Sequence, residues 1–216
     1  MQYIFFDLDG TLTDSGPGIV NAISYALTCF GMREQDRAVL SKNFIGPPLS
    51  VSFPRVYGFS PEKTAEAIAL FHEYYDRQGI YENRPYPGIP ALLEQLKIAG
   101  KQVALATSKP LNLAERVLHH FDLWQYFDQV CGGSLDESRN AKKDVIEDAL
   151  KAFPGCDLSQ AVMVGDRYLD VEGAHANGLP CIGILDGGYG TREELEAARA
   201  DFIAEDVGKL KELLLK

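Results

Sequence analysis

The run Ala161-Val162-Met163-Val164-Gly165 has no polar side chain at any of its positions, so neither of its faces suits water. A strand that is apolar on both faces belongs inside a parallel sheet covered by helices on each side. Cys181-Ile182-Gly183-Ile184-Leu185 has the same character. Residues 2 to 6 and Val103-Ala104-Leu105-Ala106-Thr107 are further short apolar strands, and Val130-Cys131 is a shorter one. Between these runs the apolar spacing changes to three and four residues. Ile19, Val20, Ile23, Ala26, Leu27 and Phe30 trace one face of a helix, and so do Val145, Ile146, Ala149, Leu150 and Phe153. Residues 89–99, stopped by Gly100, and Leu113 to His119 add two more helices. Strands alternating with helices through right-handed crossovers give an α/β fold, a doubly wound parallel sheet.

The alternation is interrupted once. No strand is expected between about residues 12 and 85. A first helix starts at Ser15 and Pro17 and ends at Gly31. Another, marked by Ala67, Ile68, Phe71, Tyr74 and Tyr75, starts at Ser60-Pro61 and closes near Gly79. Between them, the paired prolines of Phe44-Ile45-Gly46-Pro47-Pro48-Leu49 forbid a helix interior or a central strand and imply an ordered loop. The expected organisation is a core of residues 1–14 and 85–216 interrupted by a helical insertion, 15–84.

Ligands of open parallel sheets bind beyond the carboxyl ends of the strands, and this chain loads those ends with chemistry. Asp7 and Asp9 follow the first strand, and Ser108 and Lys109 follow Thr107. Asp166 and Asp170 follow the Ala161–Gly165 run, while Lys142 and Lys143 open a helix. Each has an ordinary structural reading alone: Thr107 as a β-branched strand residue, Lys142 as a solvated charge, Asp170 as a helix-start carboxylate. Together they resist that reading, because four gathered acids repel one another unless a cation holds them.

Composition excludes several other chemistries. A net charge of −10 over 216 residues argues against wrapping a nucleic acid, which needs lysine and arginine to displace counterions. Cys29, Cys131, Cys156 and Cys181 form no Cys-x-x-Cys pair and read as thiols in a reducing cytosol. The four histidines have no metal-ligand spacing. Neither a secretory leader nor a run long enough to span a membrane is present, so a cytoplasmic protein with no membrane partner is expected. The glycines of Gly187-Gly188-Tyr189-Gly190 resemble a phosphate loop, but Thr191 and Glu194 have capping-box spacing and make them a turn into a helix.

Asp7-Leu8-Asp9-Gly10-Thr11 resembles the first motif of the haloacid dehalogenase superfamily. Thr107 resembles its second motif, Lys142 its third, and Gly165-Asp166-Arg167-Tyr168-Leu169-Asp170 its fourth. The stretch Gly187 to Leu195 is similar to the phosphoglycolate-phosphatase-like branch. The resemblance covers essentially the whole chain and implies a Rossmann-like core with a helical cap at 15–84. It implies a Mg²⁺-dependent phosphatase for a small phosphorylated metabolite, working as a monomer or homodimer through an aspartyl-phosphate.

In that scheme Asp7 is the nucleophile and Asp9 the general acid and base. Asp7, the Asp9 carbonyl and Asp166 hold the metal, with Asp170 ordering its surroundings. Thr107, Ser108, Lys142 and backbone N–H groups at Leu8 and Gly10 bind the phosphoryl oxygens. Lys143 is the alternative to Lys142, and Lys109 a poorer one. Arg167 either pairs with an acid or gates the cap. Selectivity is expected from the cap, with Gly46, Pro47, Pro48 and Ser50 as the surface nearest the leaving group. Ser138-Arg139-Asn140-Ala141-Lys142 looks more like the branch's 5′-nucleotidase members than its phosphoglycolate phosphatases. A nucleoside 5′-monophosphate therefore stands beside phosphoglycolate as substrate. A non-catalytic phosphometabolite-binding module is the reading from another class, and it has no need of Asp9.

Overall fold

The computed structural model describes residues 1–32, 36–134 and 138–216. They form two compact units, Ser15–Arg84 and the pair of segments Met1–Asp14 and Pro85–Lys216.

The Ser15–Arg84 unit is helical, with α1 (Gly16–Cys29), α2 (Arg37–Phe44), α3 (Leu49–Tyr57) and α4 (Pro61–Tyr75). Proline in the first turn of α1 and α4 fixes φ where the N–H has no helical partner. The Ser60 hydroxyl caps α4 by accepting the Lys63 N–H at 3.3 Å. Ser15 occupies the cap position of α1 without a side-chain capping bond. Helices α2 and α3 fall where the sequence pattern is weakest: α2 buries only Leu40 and Phe44, and α3 contains Pro54. The expected loop is residues 45–48, turned by Gly46 at φ +103°, while Ser50 stands in the first turn of α3 rather than in the loop. Phe44, Phe53 and Phe59 pack ring against ring in the interior, with centroids 5.0 and 5.7 Å apart. Where the two ends of the unit meet, only glycine fits, since a Cβ on Gly18 would lie 1.9 Å from the Gly79 carbonyl oxygen.

The second unit is built on six parallel strands: β1 (Tyr3–Phe6), β2 (Gln102–Pro110), β3 (Gln129–Gly133), β4 (Ala161–Gly165), β5 (Cys181–Ile184) and β6 (Phe202–Ala204). Their spatial order is β3-β2-β1-β4-β5-β6. The helices are α5 (Ile89–Ile98), α6 (Leu111–His120), α7 (Lys142–Lys151), α8 (Tyr168–Ala176), α9 (Arg192–Ala197) and α10 (Val207–Leu214). The central strands are buried as their apolar runs require, and Phe5, Ala104, Ala106 and Met163 pack against Val145, Ile146 and Val171. Strand β6 escapes the sequence pattern because it is a three-residue edge with Phe202 exposed. The order reverses at β1, with β2 on one side and β4 on the other. The carboxyl ends of these three strands therefore open at the switch point where ligands of such sheets bind.

Candidate active site

Asp7 is the first residue past β1, and its N–H still donates to the Val164 carbonyl of β4 at 2.9 Å. The chain then turns tightly, with the Leu8 carbonyl accepting the N–H groups of Thr11, Leu12 and Thr13. Gly10 makes the turn at φ +86°, and a Cβ there would lie 2.4 Å from Asp166 Oδ2. Its N–H donates to the Thr13 carbonyl at 2.9 Å. The Gly10 N–H, expected to meet a phosphoryl oxygen, is bonded within the turn in this structure, and the glycine clears space for Asp166.

Lys142 begins α7 and reaches back across the strand ends. Its Nζ lies 2.7 Å from Asp7 Oδ1 and 2.9 Å from Asp170 Oδ1, and donates to the Ala106 carbonyl at 3.2 Å. The carboxylate contacts are ionic rather than well-directed hydrogen bonds. A Cβ on Gly173 of α8 would stand 2.7 Å from Lys142 Cγ, so glycine there gives the lysine its path. Lys143, one residue on, is exposed, and of the two lysines it is Lys142 that lies among the carboxylates.

Asp166 is fully buried, with Oδ1 accepting the Thr11 hydroxyl at 3.2 Å and Oδ2 the Tyr189 N–H at 2.7 Å. Asp170 links the start of α8 to the acid cluster. Its Oδ2 caps α8 by accepting the Arg167 N–H at 3.0 Å, while its Oδ1 faces Lys142. Arg167 pairs with Glu194 of α9 at 2.8 Å, and the same Glu194 oxygen accepts the Tyr168 N–H at 3.0 Å. Thr191 caps α9 by accepting the Glu194 N–H at 3.2 Å, so the expected helix start is present. The Glu194 carboxylate meanwhile pins the start of α8.

The half-buried Asp9 pairs with the buried Lys109, whose Nζ lies 3.1 and 3.0 Å from the two carboxylate oxygens. A register shift in β2 between Thr107 and Pro110 aims this lysine. The glycines of β3 make room for it: a Cβ on Gly132 would lie 2.8 Å from the Lys109 carbonyl oxygen, and one on Gly133 2.5 Å from that of Ser108. Thr107 is buried, and its hydroxyl accepts the Lys109 N–H at 3.3 Å. In sequence Lys109 reads only as a poorer alternative to Lys142. Its spacing of two from Thr107 was the available signal that both serve one strand end. Thr11 and Tyr189 had none beyond their neighbourhood in the motifs.

Three carboxylates thus gather, two of them on the one ammonium of Lys142, and their ionisation records the shortage of positive charge. Burial pushes the Asp7 carboxyl up to about 6 against the pull of Lys142. Burial, with Asp170 and Asp7 nearby, pushes Asp166 up to about 8. Lys142 is held above its ordinary range because Asp170 and Asp7 outweigh the effect of its own burial. Asp7, Asp166 and Asp170 each offer an oxygen, all within 4.8 Å of one another. A hard, oxygen-seeking divalent cation such as Mg²⁺ fits this donor set and would relieve the repulsion.

The sequence profile of the haloacid dehalogenase-like hydrolases matches residues 4–184. The chain is 39% identical over 211 residues to a 5′-nucleotidase of Pseudomonas aeruginosa, covering 98% of this chain and 94% of that one. It is 32% identical over 224 residues to a phosphoglycolate phosphatase of Vibrio cholerae, covering 100% and 97%. A tyrosine-protein kinase PtkA of Mycobacterium tuberculosis is 40% identical over 204 residues, 94% of this chain; the match spans 65% of the kinase's length. Among solved structures, one described as a predicted phosphatase from Clostridium acetobutylicum superposes with a TM-score of 0.93 at 42% identity, covering 99% and 98%.

Proposed function

This chain belongs to the haloacid dehalogenase-like hydrolase family, and from that premise we propose that it is a Mg²⁺-dependent phosphatase of small phosphomonoesters with Asp7 as nucleophile. The observation that carries this reading is the buried group of Asp7, Asp166 and Asp170 at the switch point of the sheet, with Lys142 held by Asp7 and Asp170. Buried charge of this kind is costly to fold around, and an excess of carboxylates suits a site completed by a cation before a phosphate dianion enters.

Asp7, Asp166 and the Asp9 carbonyl would hold the metal, with Asp170 keeping Lys142 and the start of α8 in place. A bound Mg²⁺ supplies the neutralisation that lets a carboxylate approach a phosphate dianion. An Asp7 oxygen then forms a bond to phosphorus as the bond to the leaving alkoxide breaks, and Asp9 delivers the proton that alkoxide needs. In the second half Asp9 takes a proton from water, whose oxygen attacks phosphorus and releases inorganic phosphate and free Asp7. Lys142, the Thr107 hydroxyl and the backbone at Leu8 and Ser108 bind the phosphoryl oxygens, where charge accumulates in the transition state. The helical unit 15–84 acts as the cap that selects the leaving group.

Identity of 39% to the 5′-nucleotidase, against 32% to the phosphoglycolate phosphatase, favours a nucleoside 5′-monophosphate as substrate, with phosphoglycolate second. The test compares kcat/KM for nucleoside 5′-monophosphates, phosphoglycolate and p-nitrophenyl phosphate, with Mg²⁺ and after chelation. Turnover of one natural ester well above the rest, lost in EDTA and restored by Mg²⁺, is expected. No turnover of any ester with Mg²⁺ present would leave a binding module instead.

A further inference from the structure

The segment Gly187–Gly190 should be among the looser parts of the sheet unit, because three of its four residues lack a Cβ. It is nevertheless wrapped closely around Asp166. A Cβ on Gly188 would lie 2.7 Å from the Asp166 Cβ, and one on Gly190 would lie 1.9 Å from the Asp166 carbonyl oxygen. Tyr189, the residue that does carry a side chain, donates its N–H to Asp166 Oδ2 at 2.7 Å. Its phenol reaches in another direction and donates to Asp14 Oδ1 at 3.0 Å. The near end of the segment is fastened as well, since the Tyr86 hydroxyl donates to the Gly187 carbonyl. Tyr86 and Asp14 lie on neighbouring strands of chain, joined by the Tyr86 N–H to Leu12 carbonyl bond of 3.0 Å and by the bridge between Thr13 and Pro85.

We infer that Tyr189 is a positioning residue for Asp166, its phenol anchored on Asp14 so that its backbone N–H holds one carboxylate oxygen in place for the metal. Glycines on both sides let the backbone come close enough to donate but give it no stiffness, and the phenol supplies the missing restraint. Tyr189 works through Asp166 and is assigned no contact of its own with substrate or metal. It acts on affinity by fixing the direction of a carboxylate oxygen, the way outer groups tune a metal site. The inference rests on the reading of Asp166 as a metal-holding residue.

Three variants test it: Tyr189→Phe, Asp14→Ala and the pair together, with Asp166→Asn as control. Binding of Mg²⁺ and Mn²⁺ is measured by calorimetry and by metal-induced thermal stabilisation, and kcat and KM are measured separately at saturating metal. Tyr189→Phe keeps the backbone N–H and loses the phenol's bond to Asp14 together with its contact to the Tyr86 hydroxyl. It is expected to weaken metal binding roughly 10-fold, with kcat at saturating metal changed far less and the metal-free melting temperature nearly unmoved. Asp14→Ala should weaken binding to the same extent, and the double variant no further than either single one. Metal affinity equal to the parent in both single variants would overturn the inference, as would additive losses in the double variant. If Asp166→Asn itself binds metal like the parent, the reading of the site has failed and the inference with it. If Asp166→Asn loses the metal while Tyr189→Phe keeps it, the inference alone has failed. Should Asp14→Ala not fold, Asp14→Leu replaces it in the same cycle.

Discussion

The two units treat charge in opposite ways. Among the described residues, every buried aspartate, glutamate, lysine or arginine belongs to the sheet unit: Asp7, Lys109, Lys142, Asp166, Arg167 and Asp170. The buried polar residues of the helical unit are Ser15, Ser52 and Thr64, and its interior is otherwise aliphatic and aromatic. Its acid with most partners, Glu82, sits only half-buried, where it accepts from Asn21, Tyr74 and Gln78. Burying an ion costs several kcal/mol even after relaxation, so a fold keeps a concentration of buried charge only where chemistry repays it. The sheet unit carries the reaction in this view, and the helical unit carries packing and selection.

The widest separation between the units should come from Asp7. Asp7→Asn is expected to lower turnover by about 10⁴-fold or more, since removing a nucleophile leaves only binding and electrostatics. Circular dichroism and the melting temperature should show the fold intact. Substantial turnover in this variant would remove the covalent step from the sheet unit and break the contrast at its centre.

Asp9 comes next. Asp9→Asn should slow turnover by about 10² to 10⁴-fold, the usual worth of general acid–base catalysis. The loss should be greater for an alkyl phosphate, whose leaving group needs a proton, than for p-nitrophenyl phosphate, whose leaving group does not. Equal losses on both esters would show that Asp9 serves the site through its pairing with Lys109 and not through proton transfer.

The contrast also explains what could be read from the chain. Ala161–Gly165 and Cys181–Leu185 announce a parallel sheet because burial on two faces leaves no polar positions. Asp7, Asp166, Asp170 and Lys142 stand out because acids at successive strand ends have no cheap structural explanation. What stayed hidden depends on contacts far apart in sequence. Lys109 meets Asp9 only through a bulge in β2, and Tyr189 meets Asp166 through its backbone, which no side-chain pattern encodes. Helices α2 and α3 were missed because one is short and mostly exposed and the other contains a proline. The edge strand β6 was missed because exposure erased its apolar signature.

The cost of buried charge should be visible directly in stability. The Asp166 carboxyl is pushed from 3.8 up to about 8 in the fold, so between those values the folded state keeps a proton that the unfolded state has released. Its contribution to stability is complete below about pH 4 and is lost as pH rises through about 8. An amide at this position carries no such loss; its oxygen can accept the Tyr189 N–H while its NH2 donates to the Thr11 hydroxyl, which then acts as acceptor. In EDTA at pH 8, Asp166→Asn should melt several degrees above the parent, and the gap should close toward pH 4. Mg²⁺ should raise the parent's melting temperature and leave the variant's unchanged. A gap that does not vary with pH would mean that packing, not ionisation, sets the cost.

The smallest effect should come from the helical unit, at the junction of α2 and α3. Gly46 takes φ +103° there, and Pro47 and Pro48 stiffen the approach to Ser50 in the first turn of α3. The junction carries two successive prolines, lies apart from the buried charges in sequence, and has no group suited to phosphoryl transfer. Pro47→Ala and Ser50→Ala should therefore alter which ester is preferred without altering the chemistry, as uniform changes in binding of a leaving group do. A change of roughly 3- to 10-fold in the ratio of kcat/KM between a nucleoside 5′-monophosphate and phosphoglycolate is expected, within what single contacts achieve in discrimination. Metal affinity and turnover of p-nitrophenyl phosphate should stay near the parent's. Equal losses on all three esters would assign the junction to supporting the helical unit as a whole. The division of labour between the units would then hold for catalysis but not, at this junction, for selection.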